Sequence, residues 1–306
     1  MIEALTQMAA SIEDTEGAAE TLEAADAFLA ANFKFTPGIA IHKRENTTSS
    51  LSKFAAIPGA RQATMEFDVE MKGSGTAGTA PEWGKLLKAC GFGESVTTST
   101  SVKYYPASSG ISSLTIAGYE NGMIHKMWGA RGNVSLKCED GAPCWLHFVF
   151  TGADFSTTDG ALLTGVSYHS TKPLPFLNAS LTIDSYAALI GTLDIDMGNK
   201  VVLRQDVSSV SGHKSAVITN REPSMTIDPE KVLVATYDFY GKLRSGNEGA
   251  LSFSLYGAAG NIATITAPKV QYTELSEDSN EGLRKLGITC QLNRNAGDDE
   301  IVIDLA

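Results

Sequence analysis

The sequence predicts a mainly β protein, built as two tandem β-sandwich or barrel domains that each carry one short helix. Residues 64–71 alternate apolar with acidic or polar side chains at a period of two, which is the pattern of a half-buried strand. Tight-turn signals such as Asn121–Gly122 separate the short apolar runs that follow. The order of these signals in the first half of the chain recurs in the second half, and this recurrence predicts the tandem arrangement.

The composition limits the classes of function. The chain has 306 residues, 43% of them hydrophobic, which is enough for about two domains with apolar cores. Its net charge of -11 argues against a protein that grips nucleic acid, because phosphate binding requires clustered Lys and Arg. The same charge permits a protein past which nucleic acid slides. No apolar run reaches the roughly 18 residues that span a bilayer. The first 33 residues hold seven acids and no Lys or Arg, unlike a secretory signal, which predicts synthesis in a cytoplasm.

The helical predictions are few. Residues 1–32 are predicted to form an N-terminal arm or helix, because the Ala- and Glu-rich run 18–31 places apolar residues at helical spacing. A short helix is predicted at Glu82–Cys90, where Pro81 precedes the segment and a glycine follows it. A second short helix is predicted at Pro229–Lys242.

The domain boundary is predicted in a connection, residues 152–178, that is rich in Ser, Thr, Gly and Pro. Residues 33–172 would form the first β domain and residues 173–306 the second, with Pro173 and Pro175 in the linker. The predicted strands are Thr64–Met71, Val102–Tyr105, Ser112–Tyr119, Met123–Ala130, Asn133–Cys138, Trp145–Thr151, Ala179–Ile183, Ala188–Asp194, Lys200–Gln205, Ser215–Thr219, Ser224–Ile227, Ala250–Tyr256, Ile262–Ala267, Val270–Leu275, Leu286–Asn293 and Ile301–Leu305.

An internal repeat is the evidence for the tandem arrangement. Short segments of the first half correspond in order to segments of the second, at an offset that falls from 160 to about 137 residues as loops shorten. The corresponding segments are Met65–Asp68 with Met225–Asp228, Trp83–Leu86 with Tyr240–Leu243, Leu114 with Leu251, Asn121–Gly122 with Gly260–Asn261, Gly129–Val134 with Thr266–Val270, and Leu146–Thr151 with Gly287–Leu292.

Four cysteines occur, and two interpretations stay open for one pair. In a reducing compartment, Cys90, Cys138, Cys144 and Cys290 would be four free thiols packed as small apolar residues. Alternatively, Cys138 and Cys144 flank a turn and would form a disulfide across a hairpin. No spacing of Cys and His matches a zinc site, so no metal and no cofactor are predicted.

No motif predicts catalysis. Gly73–Gly78 lacks the Lys-Ser/Thr ending of a phosphate-binding loop and is interpreted as a flexible loop between subunits. The aspartates near residues 184–206 do not fit a calcium loop and favour a solvated or lumen-facing side of strands. The five histidines are scattered, with no nucleophile motif beside them. We therefore predict that the protein is not an enzyme and has no catalytic residues.

The order of motifs over residues 32–305 resembles the major tail tube proteins of long-tailed, non-contractile bacteriophages. One departure is Lys72, where an arginine is expected. The segments that carry the resemblance are Met71–Pro81, Leu86–Gly91, Tyr105–Pro106, Tyr119–Gly122, Gly129–Asn133, Asn220–Pro223, Ile227–Glu230, Gly260–Asn261 and Ala267–Val270.

The resemblance implies a structural virion protein of the phage tail, assembled in the host cytoplasm. Its subunits would form rings that stack into a tube, and DNA would be ejected through the bore without specific binding. Single-domain members form hexameric rings, so a duplicated chain would form a homotrimeric ring. The implied partners are further copies of the chain, the tape measure protein, the tail terminator and the distal tail or baseplate protein, with no membrane partner.

Contacts between subunits are predicted in the N-terminal arm, in a polar excursion, in the glycine loop and at Trp83. The polar excursion between His42 and Arg61 resembles the family's contact to the adjacent ring, and the N-terminal arm is expected to act similarly. Trp83 is expected at the exposed start of a helix, packed on a neighbouring subunit, whereas Trp128 and Trp145 are expected in the core. The predicted contact residues are His42, Arg44, Glu45, Asn46, Gly73, Ser74, Gly75 and Trp83.

Two other classes of protein remain as alternatives. The tube of a contractile injection or secretion system would share the fold and the ring. A β-sandwich binding module, such as an adhesin or a virion decoration protein, would expose aromatic side chains in a groove and would not form filaments.

Overall fold

A computed structural model describes residues 5–306, apart from the side chain of Asn280, and confirms a mainly β chain. The described residues contain two short α-helices and one 3-10 turn at Ala24–Asp26. The helices are α1 Gly84–Ala89 and α2 Phe239–Ser245. The strands are β1 Thr6–Ile12, β2 Ala27–Phe28, β3 Ala31–His42, β4 Ile57–Glu70, β5 Phe92–Thr97, β6 Ser101–Pro106, β7 Leu114–Glu120, β8 Gly122–Glu139, β9 Trp145–Gly152, β10 Asp154–Gly160, β11 Thr182–Ile183, β12 Thr192–Asp196, β13 Asn199–Gln205, β14 His213–Arg221, β15 Ser224–Ile227, β16 Glu248–Leu255, β17 Ala263–Asn280, β18 Leu283–Leu292 and β19 Val302–Leu305.

Eight strands form one continuous antiparallel sheet, here called the long sheet. Its order is β3-β4-β9-β8-β12-β15-β18-β17. One face is the apolar core, where Met65 and Phe67 of β4 are fully buried. Since side chains alternate along a strand, the residues between them, such as Glu66 and Asp68, lie on the opposite face. The predicted period-two strand is therefore confirmed.

A second layer of strands covers the core of the first half. The N-terminal part of β8 leaves the long sheet and pairs with β7 and β10, and β7 pairs with β1. Gly129 lies at the change of partner with a φ of +61°, a conformation that glycine adopts without strain. Phe28 of β2 packs 5.5 Å from Phe67, which joins the two layers into a sandwich. The segment predicted as a loose connection thus contains strand β10.

The second half repeats these pairings. In the first half the order is β4-β9-β8-β7, and in the second half it is β15-β18-β17-β16. The N-terminal part of β17 pairs with both β16 and β19, as β8 pairs with β7 and β10. Both β7–β8 and β16–β17 contain a register shift. Leu251 follows the shift in β16 as Ile116 follows the shift in β7, so Leu251 is equivalent to Ile116 and not, as predicted, to Leu114. The predicted boundary between residues 172 and 173 stays a prediction.

The predicted N-terminal helix is wrong. Residues 5–30 are part of the sandwich, because β1 pairs along its whole length with β7. Leu22 and Phe28 are buried, but the intervening residues form no α-helix. Tertiary strand pairing overrides the helical propensity of the Ala-rich run. Residues 1–4 of the predicted arm lie outside the described residues.

The two helices differ in how well the sequence predicts them. Helix α1 lies inside the predicted range and packs Leu86 and Leu87 into the core. Helix α2 begins ten residues after the predicted start at Pro229, because the side chain of Asp238 accepts a hydrogen bond from Gly241 N at 2.7 Å and caps the helix there. Gly246 ends it in the left-handed conformation.

One cysteine pair is bonded. Cys138 and Cys144 form a disulfide across the β8–β9 turn, so the expectation of four free thiols is wrong for these two. The tight hairpin brings their Cα atoms within 4.4 Å. Cys90 and Cys290 are free and buried, and burial raises the pKa of the Cys290 thiol to about 12. Both therefore remain neutral thiols at physiological pH.

A polar network fastens the N-terminal segment beneath β8. The buried carboxylate of Glu13 accepts hydrogen bonds from Gly129 N at 2.6 Å and from Ser113 Oγ at 2.6 Å. The guanidinium of Arg131 binds Glu16 at 2.7 Å and also donates to the carbonyl oxygens of residues 111 and 216. Burial alone would raise the pKa of Glu16, but hydrogen bonds from Arg131 and Ser215 outweigh it and lower that pKa.

We expect Arg131→Met to lower the free energy of unfolding by about 2–4 kcal/mol, because it removes the hydrogen-bond donor of the carbonyl oxygens of residues 111 and 216 and the charge that pairs with Glu16. Urea unfolding of the unassembled chain, followed by circular dichroism, measures this loss. Arg294→Met, at an exposed position, is the matched control and should change stability by less than about 0.5 kcal/mol. Equal effects of the two variants would contradict the role of the network.

Candidate assembly surfaces

The long sheet is continuous because the two halves of the chain meet by strand pairing. At this junction β8 pairs antiparallel with β12, with Leu136 opposite Ile195 and Lys137 opposite Asp194. Leu136 and Ile195 are buried and extend the core across the junction. One edge of each half is therefore satisfied within the chain.

The two outer edges of the long sheet have no strand partner in the described part of the chain. Strand β3 pairs only with β4, and residues 273–280 of β17 pair only with β18. Phe33 and Phe35 of β3 are half-buried, and Leu275 of β17 is also half-buried. An unpaired edge of this length is a template for another strand.

The face of the long sheet opposite the core, here called the polar face, is acidic. Among the described residues it bears nine carboxylates, which are Glu66, Asp68, Glu70, Glu139, Asp194, Asp196, Asp228, Glu274 and Asp278. Its lysines are Lys34, Lys137 and Lys285. The predicted placement of Asp194 and Asp196 on a solvated strand side agrees with this geometry.

Short polar contacts order the polar face. Asp68 accepts hydrogen bonds from Asn32 at 2.6 Å and pairs with His147 Nδ1 at 2.6 Å. Lys285 binds Asp228 at 2.6 Å. Partial burial would raise the pKa of Asp228, but hydrogen bonds from Lys285 and from the backbone of residues 191 and 192 outweigh it and lower that pKa. Burial raises the pKa of Asp194, although Lys137 partly offsets it.

The β3–β4 hairpin extends beyond the sandwich as an exposed arm. The predicted contact residues His42, Arg44, Glu45 and Asn46 lie in or beside its tip, residues 43–56, and all are exposed. Arg44 stacks its guanidinium 4.8 Å from the ring centroid of Phe54. The exposed apolar side chains of the hairpin are Ile39, Ile41, Leu51, Phe54 and Ile57. The structure therefore places this predicted group together on one projecting element.

The hairpin of the second half, β13–β14, lies against the first half instead. Ser211 O accepts a hydrogen bond from Arg61 N at 3.0 Å. Asn199 Nδ2 donates to Cys90 O at 2.7 Å, and Ser215 Oγ donates to Glu16 at 2.7 Å. A hairpin between β12 and β15 thus docks on the neighbouring half and meets the base of the β3–β4 hairpin at Arg61, whereas the tip of the β3–β4 hairpin, residues 43–56, is exposed.

The glycine loop makes its contacts within the chain. Gly73 N donates to Asn261 Oδ1 at 2.8 Å, and Gly75 N donates to Gly260 O at 3.0 Å. Ser74 Oγ donates to backbone oxygens of the same loop. The loop therefore contacts the second half of its own chain, where the sequence predicted a contact between subunits.

The burial of the tryptophans differs from the prediction. Trp83 is only 2% exposed and donates its Nε1 hydrogen to Lys72 O at 2.9 Å. Its expected exposure at a helix start is wrong, because the residues before α1 turn its ring onto Tyr104, with centroids 5.9 Å apart. Trp128 and Trp145, expected in the core, are half-buried.

Sequence reasoning missed the residues of the two edges. Lys34 and Asp278 lie on the open edges but belong to no motif. The alternation of Phe33 and Phe35 with polar residues was the available signal for β3. In residues 5–306 no group of three or more His, Cys, Asp or Glu side chains could hold a metal ion. Neither helix of that range is long and apolar enough to cross a membrane.

A layered β fold with an acidic sheet face and open strand edges is compatible with a structural protein. The family model described as phage tail tube protein matches residues 3–298. The chain therefore belongs to the phage tail tube protein family and is a structural component of the virion tail. A comparison with curated proteins finds no match.

We expect Gly73→Ala to weaken the contact between the halves, because a Cβ at this position would lie 2.1 Å from Gly260 O. The free energy of unfolding should fall by about 1–3 kcal/mol, measured by urea unfolding. Thr76→Ala, at an exposed position of the same loop, is the control and should have little effect. A Gly73→Ala chain as stable as the native one would contradict the contact.

The pKa shifts on the polar face predict opposite effects of two similar substitutions. The lowered pKa of Asp228 gives stability that is complete above about pH 4 and is lost as pH falls through the folded pKa. The raised pKa of Asp194 acts in the opposite direction, since the folded chain holds that proton more tightly. Asp228→Asn should therefore reduce the acid-induced loss of stability between about pH 6 and pH 3, and Asp194→Asn should increase it. Urea unfolding across this range tests both signs, and the same sign for both variants would refute the assignment.

Proposed function

We propose that the chain assembles into closed rings that stack into the tail tube, through which DNA is ejected into the host. The observation that carries this proposal is the pair of open edges on the long sheet. Closing a sheet through neighbouring subunits satisfies the N–H and C=O groups of both edges. The membership of the phage tail tube family supports the same assembly.

The repeat of the pairings supports a ring of three chains. Each chain contributes two four-stranded units to the long sheet, so three chains would supply six units in a pseudo-sixfold ring. Three copies of the long sheet, with strands about 4.8 Å apart and tilted, would enclose a bore roughly 30–40 Å wide, which accommodates a DNA duplex.

The polar face suits the lining of the bore. Its carboxylates outnumber its lysines, so it repels phosphates and gives DNA no array of Lys and Arg to adhere to. The apolar core lies on the other side of the long sheet, away from the bore. DNA would therefore pass through without specific binding.

The exposed β3–β4 hairpin supplies a contact to other copies of the chain. Ile41 and Ile57 are 59% and 54% exposed. Exposure of these apolar side chains to water is unfavourable in an isolated chain, and packing on a neighbouring copy would relieve it. Contact residues of this arm would include His42, Arg44, Glu45 and Asn46. The finished tube would also contact the tape measure protein, the tail terminator and the distal tail or baseplate protein, after assembly in the host cytoplasm.

Electron microscopy of the purified chain at high concentration tests the assembly. We expect hollow tubes or rings with three chains and a near-sixfold outline after averaging. Six chains per ring would retain the tube and reject the trimer. A chain that stays monomeric, also with the tail tip complex added as a nucleus, would reject the proposal and favour a monomeric binding module. A contractile sheath around the tube in virions would favour an injection machine of the contractile type.

A further inference from the structure

The junction between β8 and β12 offers a template for the junction between neighbouring chains. The long sheet consists of two units with the same strand order, β3-β4-β9-β8 and β12-β15-β18-β17. Within the chain, the last strand of the first unit pairs with the first strand of the second. In a ring, the last strand of the second unit, β17, faces the first strand of the next chain, β3.

Strand registers identify equivalent residues in the inner strands of the two units. Thr64 of β4 pairs with Thr151 of β9, and Ser224 of β15 pairs with Gln291 of β18. With β4 and β15 equivalent at an offset of 160 residues, these pairings make β9 and β18 equivalent at an offset of 140. The offset of 160 is that of the sequence correspondence between Met65–Asp68 and Met225–Asp228.

The same registers identify equivalent residues on the edges. Lys137 pairs with Trp145 of β9, and Asp278 pairs with the equivalent position of β18, Lys285. Lys137 is thus equivalent to Asp278. Asp194 pairs with Thr226 of β15, and Lys34 pairs with the equivalent position of β4, which is Glu66. Asp194 is thus equivalent to Lys34.

We propose that β17 of one chain pairs antiparallel with β3 of the next, in the register that places Asp278 opposite Lys34. This inference rests on the proposed ring. Within the chain, Lys137 lies opposite Asp194. Between chains, Asp278 would take the position of Lys137 and Lys34 would take the position of Asp194. Opposite charges would therefore again meet across the junction.

The charges of side chains that lie opposite each other on adjacent strands support this register over registers shifted by one or two residues. In the proposed register Lys285, Asp278, Lys34 and Glu66 alternate in sign across the junction. A shift of two residues in one direction would place Lys34 opposite Ser276 and Asp278 opposite Asn32, which breaks the alternation. Directly opposite residues of paired strands point to the same face, so a shift of one residue is excluded because it would set Phe33 or Phe35, on the core side, opposite Asp278 of the polar face.

The two side chains are available for this contact. The Lys34 side chain is 62% exposed, and its ammonium binds Glu66 at 3.2 Å on the side away from the edge. Asp278 is exposed and accepts a hydrogen bond from Ser279 N at 2.7 Å. Thr36 and Ser276, which the same register places opposite each other, are small and exposed.

Cysteine pairs test the register in assembled tubes. Directly opposite residues of an antiparallel pair have Cβ atoms about 4.5–5.5 Å apart, whereas diagonal neighbours are about 7–8 Å apart, too far for a disulfide. The in-register variants are Lys34→Cys with Asp278→Cys and Thr36→Cys with Ser276→Cys. The matched off-register variants recombine the same positions, as Lys34→Cys with Ser276→Cys and Thr36→Cys with Asp278→Cys. The native free thiols Cys90 and Cys290 are buried and give a low background.

We expect mild oxidation of the tubes to link chains covalently in both in-register variants, at least roughly tenfold faster than in the off-register variants. Non-reducing electrophoresis measures the linked dimers and trimers, and thermal unfolding of each unassembled variant checks its folding. The chain with Lys137→Cys and Asp194→Cys, analysed by mass spectrometry, is the positive control for the template.

Tubes that link only in an off-register variant would overturn the register and leave the proposed function standing. Tubes that link in none of the four variants would overturn pairing between β17 and β3. Failure of the native chain to form rings or tubes would instead reject the proposed function, and this inference with it. Two in-register pairs keep the test valid if one variant does not fold.

Discussion

The open edges of an antiparallel sheet are the constraint on which the rest of this structure depends. Each edge strand carries backbone donors and acceptors that require a partner. The chain already satisfies one such pair internally, where β8 meets β12, and thereby builds a sheet twice as wide as either half could provide. The cost is that β3 and β17 remain open at the two ends. Edges of this kind favour uncontrolled association unless they pair with a defined partner or are otherwise protected.

The second layer and the N-terminal segment hold the long sheet in a defined shape. Glu13 satisfies backbone and hydroxyl donors beneath β8, and Arg131 ties Glu16 to carbonyls of other segments. The β13–β14 hairpin and the glycine loop then connect the two halves away from the strand junction. Several independent contacts therefore determine how the halves are oriented. This orientation sets the curvature of the long sheet, and a closed sheet would have to match it.

The polar face combines local order with long-range repulsion. Individual carboxylates have partners, such as Asp68 with His147 and Asp228 with Lys285, which fix side chains on a surface that would otherwise be mobile. The excess of carboxylates remains, because the face has far fewer lysines. A surface of this kind is compatible with passing DNA and unsuited to holding it.

Features that depend on neighbouring residues could be predicted from the amino-acid sequence. The alternation in β4, the Asn121–Gly122 turn, helix α1 and the order of motifs that resembles tail tube proteins were all predictable, since turn chemistry and side-chain periodicity are local. Tertiary structure alone decided that residues 6–12 join the sheet, that Trp83 is buried, and that the glycine loop contacts its own chain. It also decided which edges stay open and which charges flank them. The physical reason is that strand pairing joins residues more than a hundred positions apart, and a period-two pattern specifies a face but not a partner.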